Sequence, residues 1–159
     1  MNPLEYPLTT TSELPLRALV TIDTHFFKRR ILTLEQAHKL LQESEVDSIQ
    51  YEMYRSACVK EFELILEQAG KLLKKCLKPY FHSPKPVDKL VFKDVFRQAA
   101  QHDLITIESV ERWIEYRDNR NNTAHDYGVK FAETTLILLP QFIQDASALE
   151  QVIQQQTND

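Results

Sequence analysis

The scarcity of glycine is the feature that most restricts what this chain can fold into. Only two glycines, Gly70 and Gly128, occur among its 159 residues, whereas average usage would give about eleven. Barrels, sandwiches and dinucleotide-binding folds need glycine for turns, bulges and phosphate loops, and the glycine-rich phosphate motifs are absent from this sequence. The chain is therefore predicted to be all-α, and its length favours one domain.

Apolar residues recur at helical spacing in five segments. Helices are predicted at about 23–43, 48–78 and 87–102, from 107 onward, and at 128–153. Asp47 or Ser48 is expected to cap the second helix and Thr106 the fourth, and the third is expected to bury Val91. Residues 79–86 contain three prolines and are predicted to form a loop. Packing the apolar stripes together predicts an antiparallel up-and-down four-helix bundle with an additional short helix.

The two ends of the chain differ in composition from the predicted bundle. Residues 1–20, which hold three prolines, predict an extended N-terminal arm; residues 21–153 form the bundle domain, and 154–159 a polar tail. No apolar run approaches the ~20 residues that span a bilayer, and the first residues do not resemble a signal peptide. Two cysteines, Cys58 and Cys76, lie in apolar helical contexts, which favours a reducing, cytoplasmic compartment.

Charge is distributed unevenly along the chain. The net charge is −4, yet residues 71–93 hold seven lysines against one aspartate, a local charge of +6. Such a strip on an acidic body can hold a phosphate backbone, although charge runs are more often solvated helix faces. Within this strip, Lys74, Lys75 and Lys78 are the candidate phosphate contacts.

One segment, residues 116–128, combines guanidinium, amide, imidazole and phenol side chains with almost no aliphatic residues; it reads YRDNRNNTAHDYG. Elsewhere the histidines are scattered, and no pair has the HExxH or CxxC spacing of a zinc site, so no metal and no cofactor is implied. This segment is therefore the candidate site.

Helical geometry relates the charged residues of this segment to one another. At about 100° per residue, Arg117, Arg120, Asn121 and Tyr127 share a face, and His125 lies about 140° round from Arg120. The two would converge if the helix ended near Asn122, or if two copies of the chain faced each other across a dimer seam.

Histidine and arginine together suit phosphodiester chemistry without a metal. An imidazole takes or gives a proton near neutral pH, and a guanidinium holds the phosphate with two donors. On RNA, the 2′-hydroxyl is a built-in nucleophile. The alternative is structural: the two arginines pair with nearby carboxylates and His125 caps a helix. Those carboxylates are Glu115, Asp118 and Asp126.

The stretch RNNTAHDY at residues 120–127 matches the RX4HXY motif, and through it the chain resembles the HEPN superfamily. More narrowly it is similar to the HepT-type toxins, older members of which were called nucleotidyltransferase substrate-binding proteins. Residues 55–64 and 71–74 resemble the second helix of that family, and 95–99 the third. The likeness covers about residues 23–150.

The resemblance implies a bundle that dimerises across the motif and acts as a metal-independent endoribonuclease, with RNA as substrate and no membrane association. It implies Arg120 and His125 as the catalytic pair, supported by Asn121. Arg117, which lies on the same face, is the other residue predicted to support the site. Tyr127 would accept AMP from a cognate minimal nucleotidyltransferase, the antitoxin, and so silence the toxin. A second function stays open: a noncatalytic subunit that presents a substrate to a separate nucleotidyltransferase. Both need the same bundle and cleft.

Overall fold

Helices make up the fold, as the sequence predicts. The computed structural model describes residues 22–122 and 128–158, and over these ranges it has no β-strand. Its helices are α1 (His25–Gln42), α2 (Ile49–Leu77), α3 (Pro84–Asp88), α4 (Phe92–Gln101), α5 (Ile107–Asn122) and α6 (Val129–Asn158). The predicted arm, residues 1–20, lies outside the described residues. None of the described helices has the length and apolar character that crossing a membrane requires.

Two predicted helix caps are confirmed. The Tyr51 backbone N–H donates to Ser48 Oγ at 3.1 Å at the start of α2, and the Ser109 N–H donates to Thr106 Oγ1 at 3.1 Å at the start of α5. Each bond satisfies a backbone donor that a helix N-terminus leaves without an intrahelical partner. The short connection between α1 and α2 reverses the chain, so these two helices pack as antiparallel neighbours.

The single helix predicted at 87–102 is wrong, because two helices, α3 and α4, occupy this region. Val91 lies between them with an extended backbone (φ −81°, ψ 164°). A continuous helix would place Val87, Val91 and Val95 on one face. The break rotates the middle residue away, so Val91 is 63% exposed while Val87 and Val95 are buried. The predicted burial of Val91 is therefore also wrong.

The region predicted as a loop at 79–86 is partly helical. A turn of 3₁₀ helix covers Lys78–Tyr80, and α3 begins at Pro84. Proline has no backbone N–H. It suits the first turn of a helix because the N–H groups there make no intrahelical hydrogen bond. Prolines therefore begin a short helix here instead of excluding one.

Helices α4 and α6 end in different ways. Beyond α4, Asp103 adopts a left-handed conformation (φ 60°), and the Leu104 N–H donates to the Ala99 carbonyl at 2.9 Å. This is the bond of a Schellman closure. Helix α6 runs through Pro140 and continues to Asn158, beyond the end at residue 153 that its apolar pattern predicts.

Five aromatic rings join the helices that carry the candidate site. Their centroids lie 4.6 to 6.5 Å from one another in successive contacts. The rings are Phe62 of α2, Phe96 of α4, Trp113 and Tyr116 of α5, and Phe142 of α6, all fully buried. Because α5 supplies two of them, its next turn, which carries Arg117 to Asn121, is fixed relative to α2 and α6.

Candidate functional site

The predicted site begins on the last turns of α5 and continues toward the start of α6. Arg117, Arg120 and Asn121 lie on α5. His125 and Tyr127 lie outside the described residues.

Arg120 reaches from α5 to α2. Its Nε forms an ion pair with Glu63 Oε2 at 2.7 Å, and the two side chains are 36% and 30% exposed. The alternative to a catalytic role is that this arginine pairs with carboxylates close to it in the chain. Glu63 belongs to a different helix. The guanidinium is thus held at the surface of the bundle, where a ligand can reach it.

Arg117 lies against an aromatic ring. Its guanidinium carbon is 5.0 Å from the centroid of Phe92, the first residue of α4. Gly70 of α2 lets that ring approach closely, because a Cβ at this position would lie 3.2 Å from Phe92 Cδ2. Next to it, Lys93 Nζ binds Asp118 Oδ1 at 2.8 Å. These contacts tie the end of α5 to α4 and to α2.

The asparagines of the segment differ in their surroundings. Asn119 Nδ2 donates to Thr135 Oγ1 of α6 at 3.1 Å, and Thr135 is fully buried. Asn121, the residue predicted to support the site, is exposed. Asn119 therefore joins α5 to α6, a role that the sequence did not single out.

A buried carboxylate fixes α5 against α6 one to two turns before Arg120. Asp145 accepts two bonds from Arg112, both at 2.8 Å, and one from the Tyr116 hydroxyl at 2.6 Å. Burial raises the pKa of Asp145, but the hydrogen bonds from Arg112, Tyr116 and Gln141 lower it by more, and its pKa lies below the ordinary value. Asp145 therefore stays ionised in this network at neutral pH.

A cleft of about 410 Å³ lies between α2 and the start of α6, next to the Arg120 contact. Its size falls in the range of small-molecule sites, about 300–1,000 Å³. Glu63 lies in its wall, so one carboxylate both contacts Arg120 and faces the cleft. The other lining residues are Arg55, Ser56, Val59, Lys60, Gly128, Val129, Phe131 and Ala132.

The lysines predicted to contact RNA lie at the far end of α2 from this cleft. At 1.5 Å per residue, Lys74 is about 16 Å and Lys78 about 22 Å along the helix from Glu63. Lys74 Nζ donates to the Asp88 carbonyl at 3.3 Å, and Lys75 and Lys78 are exposed. The structure therefore does not bring these lysines to Arg120, and a bound strand would have to extend along α2 to meet both.

The two thiols are unsuited to nucleophilic chemistry. Burial raises the pKa of Cys58 to about 11 and that of Cys76 to about 12, so both remain protonated at neutral pH. They pack in the core, as the sequence predicts. Within residues 22–122 and 128–158, no three His, Cys, Asp or Glu side chains gather in a group that could hold a metal ion.

Sequence reasoning missed Glu63, Gly70 and Phe92 as neighbours of the site. Glu63 lies in the stretch 55–64 that the family resemblance covers, but no local pattern shows which carboxylate a distant guanidinium will meet. Gly70 carried a usable signal, because a glycine inside a long apolar-striped helix costs about 1 kcal/mol relative to alanine and often marks a close approach.

Three comparisons relate this chain to known proteins. The model of the family described as "Nucleotidyltransferase substrate binding protein like" matches residues 23–155. A Haemophilus influenzae protein named "Probable ribonuclease HepT" is 27% identical over 100 residues, which are 63% of this chain and 67% of that protein. A solved H. influenzae structure, described as the fold of a substrate binding domain of a nucleotidyltransferase, aligns with a TM-score of 0.69 at 23% identity, covering 82% of this chain and 98% of that one.

Proposed function

Because the chain belongs to the nucleotidyltransferase substrate-binding-protein-like family, we propose that it is a metal-independent endoribonuclease toxin whose catalytic pair is Arg120 and His125. In this proposal it acts in the cytoplasm, and a cognate minimal nucleotidyltransferase is its antitoxin. The RX4HXY resemblance of residues 120–127 and the similarity to a protein named as a ribonuclease support it.

The surroundings of Arg120 carry this proposal. Its guanidinium is partly exposed and is held by Glu63, a carboxylate in the wall of a ligand-sized cleft. The ion pair joins Arg120 of α5 to a carboxylate of α2, so the guanidinium is held beside the cleft. A guanidinium in that position suits the recognition of a phosphate by two donors.

The proposed reaction uses the ribose as nucleophile. The 2′-oxygen forms a bond to phosphorus while the bond from phosphorus to the 5′-oxygen breaks, which leaves a 2′,3′-cyclic phosphate and a free 5′-hydroxyl. His125 takes the proton from the 2′-hydroxyl, water gives a proton to the departing 5′-oxygen, and His125 then returns its proton to the solvent. Arg120 stabilises the negative charge that grows on the phosphate oxygens.

Tyr127→Phe is expected to escape silencing by the nucleotidyltransferase. Tyr127 lies two residues beyond His125, so an attached AMP would place its phosphate close to the catalytic pair and compete with the substrate phosphate. Without the phenol oxygen there is no acceptor. Intact-protein mass after incubation with the partner and ATP measures this: the wild type and a Tyr54→Phe control gain AMP, and Tyr127→Phe does not. Transfer of AMP to the Tyr127→Phe variant would mean that a different residue is the acceptor.

The chain is expected to form a homodimer across the motif. Val129, in the first turn of α6 and in the wall of the cleft, is 62% exposed, which leaves apolar surface next to the segment 123–127. Val129→Glu is expected to give monomers in light scattering at micromolar concentration. Val46→Glu is the matched control, since Val46 is 70% exposed in the α1–α2 connection, and it should stay dimeric. A monomeric wild type would contradict a shared site.

Reversing the charge of Lys75 and Lys78 to glutamate is expected to weaken RNA binding. Each lost phosphate contact should reduce the slope of log affinity against log salt by about 0.7 for single-stranded RNA. Lys28→Glu combined with Lys39→Glu on α1 is the control, since both are exposed lysines outside the strip. Filter binding across a salt series measures the slopes. Equal slopes in the two double variants would show that the strip is only a solvated face.

A noncatalytic binding subunit is the second candidate function, favoured by the fold shared with a structure described as the substrate binding domain of a nucleotidyltransferase. Expression of this chain alone in a bacterial host separates the two. A ribonuclease toxin arrests growth, and His125→Ala or co-expression of the partner relieves the arrest. Unimpeded growth, with no RNA cleaved by the purified chain, would favour the binding subunit.

A further inference from the structure

Glu63 makes the contact that connects α2 with the proposed catalytic arginine. Its Oε2 forms an ion pair with Arg120 Nε, with 2.7 Å between the two atoms. Its neighbour Glu61 is different, because it is buried and binds Arg30 Nη1 at 2.9 Å on the other side of the helix. Glu63 alone of these two also lies in the wall of the cleft.

The contact adds little to the stability of the fold. Partly exposed ion pairs gain little Coulomb energy and lose side-chain entropy when they form. Helix α5 is already held in place by buried Trp113 and Tyr116, by the Tyr116 bond to Asp145, and by the bond from Asn119 to Thr135. The position of α5 therefore does not depend on Glu63, and the consequence of the contact is confined to the arginine side chain.

An arginine side chain must lose considerable rotational freedom to act in one geometry. Its flexible stem carries a high rotamer entropy. A carboxylate that holds Nε limits this freedom before substrate binds. The planar guanidinium has five N–H donors in a fixed fork, so holding one of them sets the direction of the others relative to the cleft.

We propose that Glu63 is a positioning residue for Arg120, which fixes its guanidinium for the phosphate undergoing cleavage; this inference rests on the proposed ribonuclease function. The carboxylate also places a negative charge beside the substrate phosphate, which weakens binding of the intact RNA. Glu63 therefore raises both kinetic constants: it raises kcat by orienting the arginine, and it raises KM by repulsion, so the two changes have opposite effects on kcat/KM.

Glu63→Gln provides the test, with Glu67→Gln as the matched control. Both remove one carboxylate charge from the same helix, one turn apart, but Glu67 is exposed and binds Lys71 Nζ at 3.1 Å instead of Arg120. Loss of orientation at a reacting group costs about 10- to 100-fold in rate. Glu63→Gln is expected to lower kcat by that factor with an unchanged or lower KM, and Glu67→Gln is expected to change neither.

Glu63→Asp separates position from charge. It keeps the carboxylate but draws it back by one methylene, so kcat should fall while KM stays at the wild-type value. The melting temperatures of all three variants should lie within a few degrees of the wild-type value. If Glu63→Gln does not fold, the kcat of Glu63→Asp tests the positioning role. A kcat unchanged in the variants at position 63, or a fall matched by Glu67→Gln, would overturn the positioning role. A wild-type chain that cleaves no RNA would overturn the proposed function and this inference with it.

Discussion

Replacing Arg120 or His125 by alanine is expected to slow RNA cleavage by about 100- to 10,000-fold. Arg120→Ala removes the donors that stabilise the charge growing on the phosphate, and His125→Ala removes the group that accepts the proton. Arg120→Ala should leave the bundle folded, because its pair with Glu63 is partly exposed and such pairs contribute at most about 1 kcal/mol. Initial rates on a fluorescently labelled RNA measure the first effect, and circular dichroism melting measures the second.

Matched substitutions elsewhere on the surface control for loss of charge. Arg97→Ala removes an exposed guanidinium of α4 that binds Asp94, and His82→Ala removes an exposed imidazole; both variants should keep full activity. Cleavage by the wild type should continue in EDTA and give ends that carry a 2′,3′-cyclic phosphate. Cleavage that persists in the Arg120→Ala, His125→Ala double variant, or that stops when divalent ions are removed, would contradict the mechanism.

The range of each interaction determines how much of this fold the sequence predicts. The caps at Ser48 and Thr106 are predictable because each depends on residues within one helical turn. The break at Val91 is not, because Val87, Val91 and Val95 keep a spacing of four residues across it and so fit a continuous helix. Their pattern shows which residues are apolar, but the backbone at one position decides which of them are buried.

The same distinction applies to the site. Arg120 is identifiable because the RX4HXY motif is a contiguous stretch of sequence. Its partner Glu63 is not, since any of the four carboxylates on α2 would satisfy the same charge rule and only the packing of α5 against α2 selects one. The contact from Gly70 through Phe92 to Arg117 crosses three helices, so no single segment of the sequence contains it.

Asp145→Ala is expected to lower the free energy of unfolding by about 3 kcal/mol, because it removes a buried carboxylate and the hydrogen bonds that this carboxylate accepts from Arg112 and Tyr116. Asp145 is 6% exposed, and its loss would leave the fully buried Tyr116 hydroxyl without its acceptor. For a chain of this length the melting temperature should fall by roughly 6–12 °C. Asp94→Ala is the control: this carboxylate pairs with Arg97 while about half exposed, and its loss should change stability by less than about 1 kcal/mol.

The stability that Asp145 contributes to the fold should also depend on pH, and it should decrease in acid. Because the folded protein holds the pKa of Asp145 below its ordinary value, the stability contributed by its ionised form is fully present above the unfolded pKa of about 3.9 and is lost as pH falls through the folded pKa. The difference in unfolding free energy between wild type and Asp145→Asn should therefore be constant above about pH 5 and narrow in more acidic solution. Denaturant unfolding at a series of pH values measures it. A difference that widened in acid would mean that Asp145 is protonated in the folded protein, and the network around Arg112 and Tyr116 would then need another source of stability.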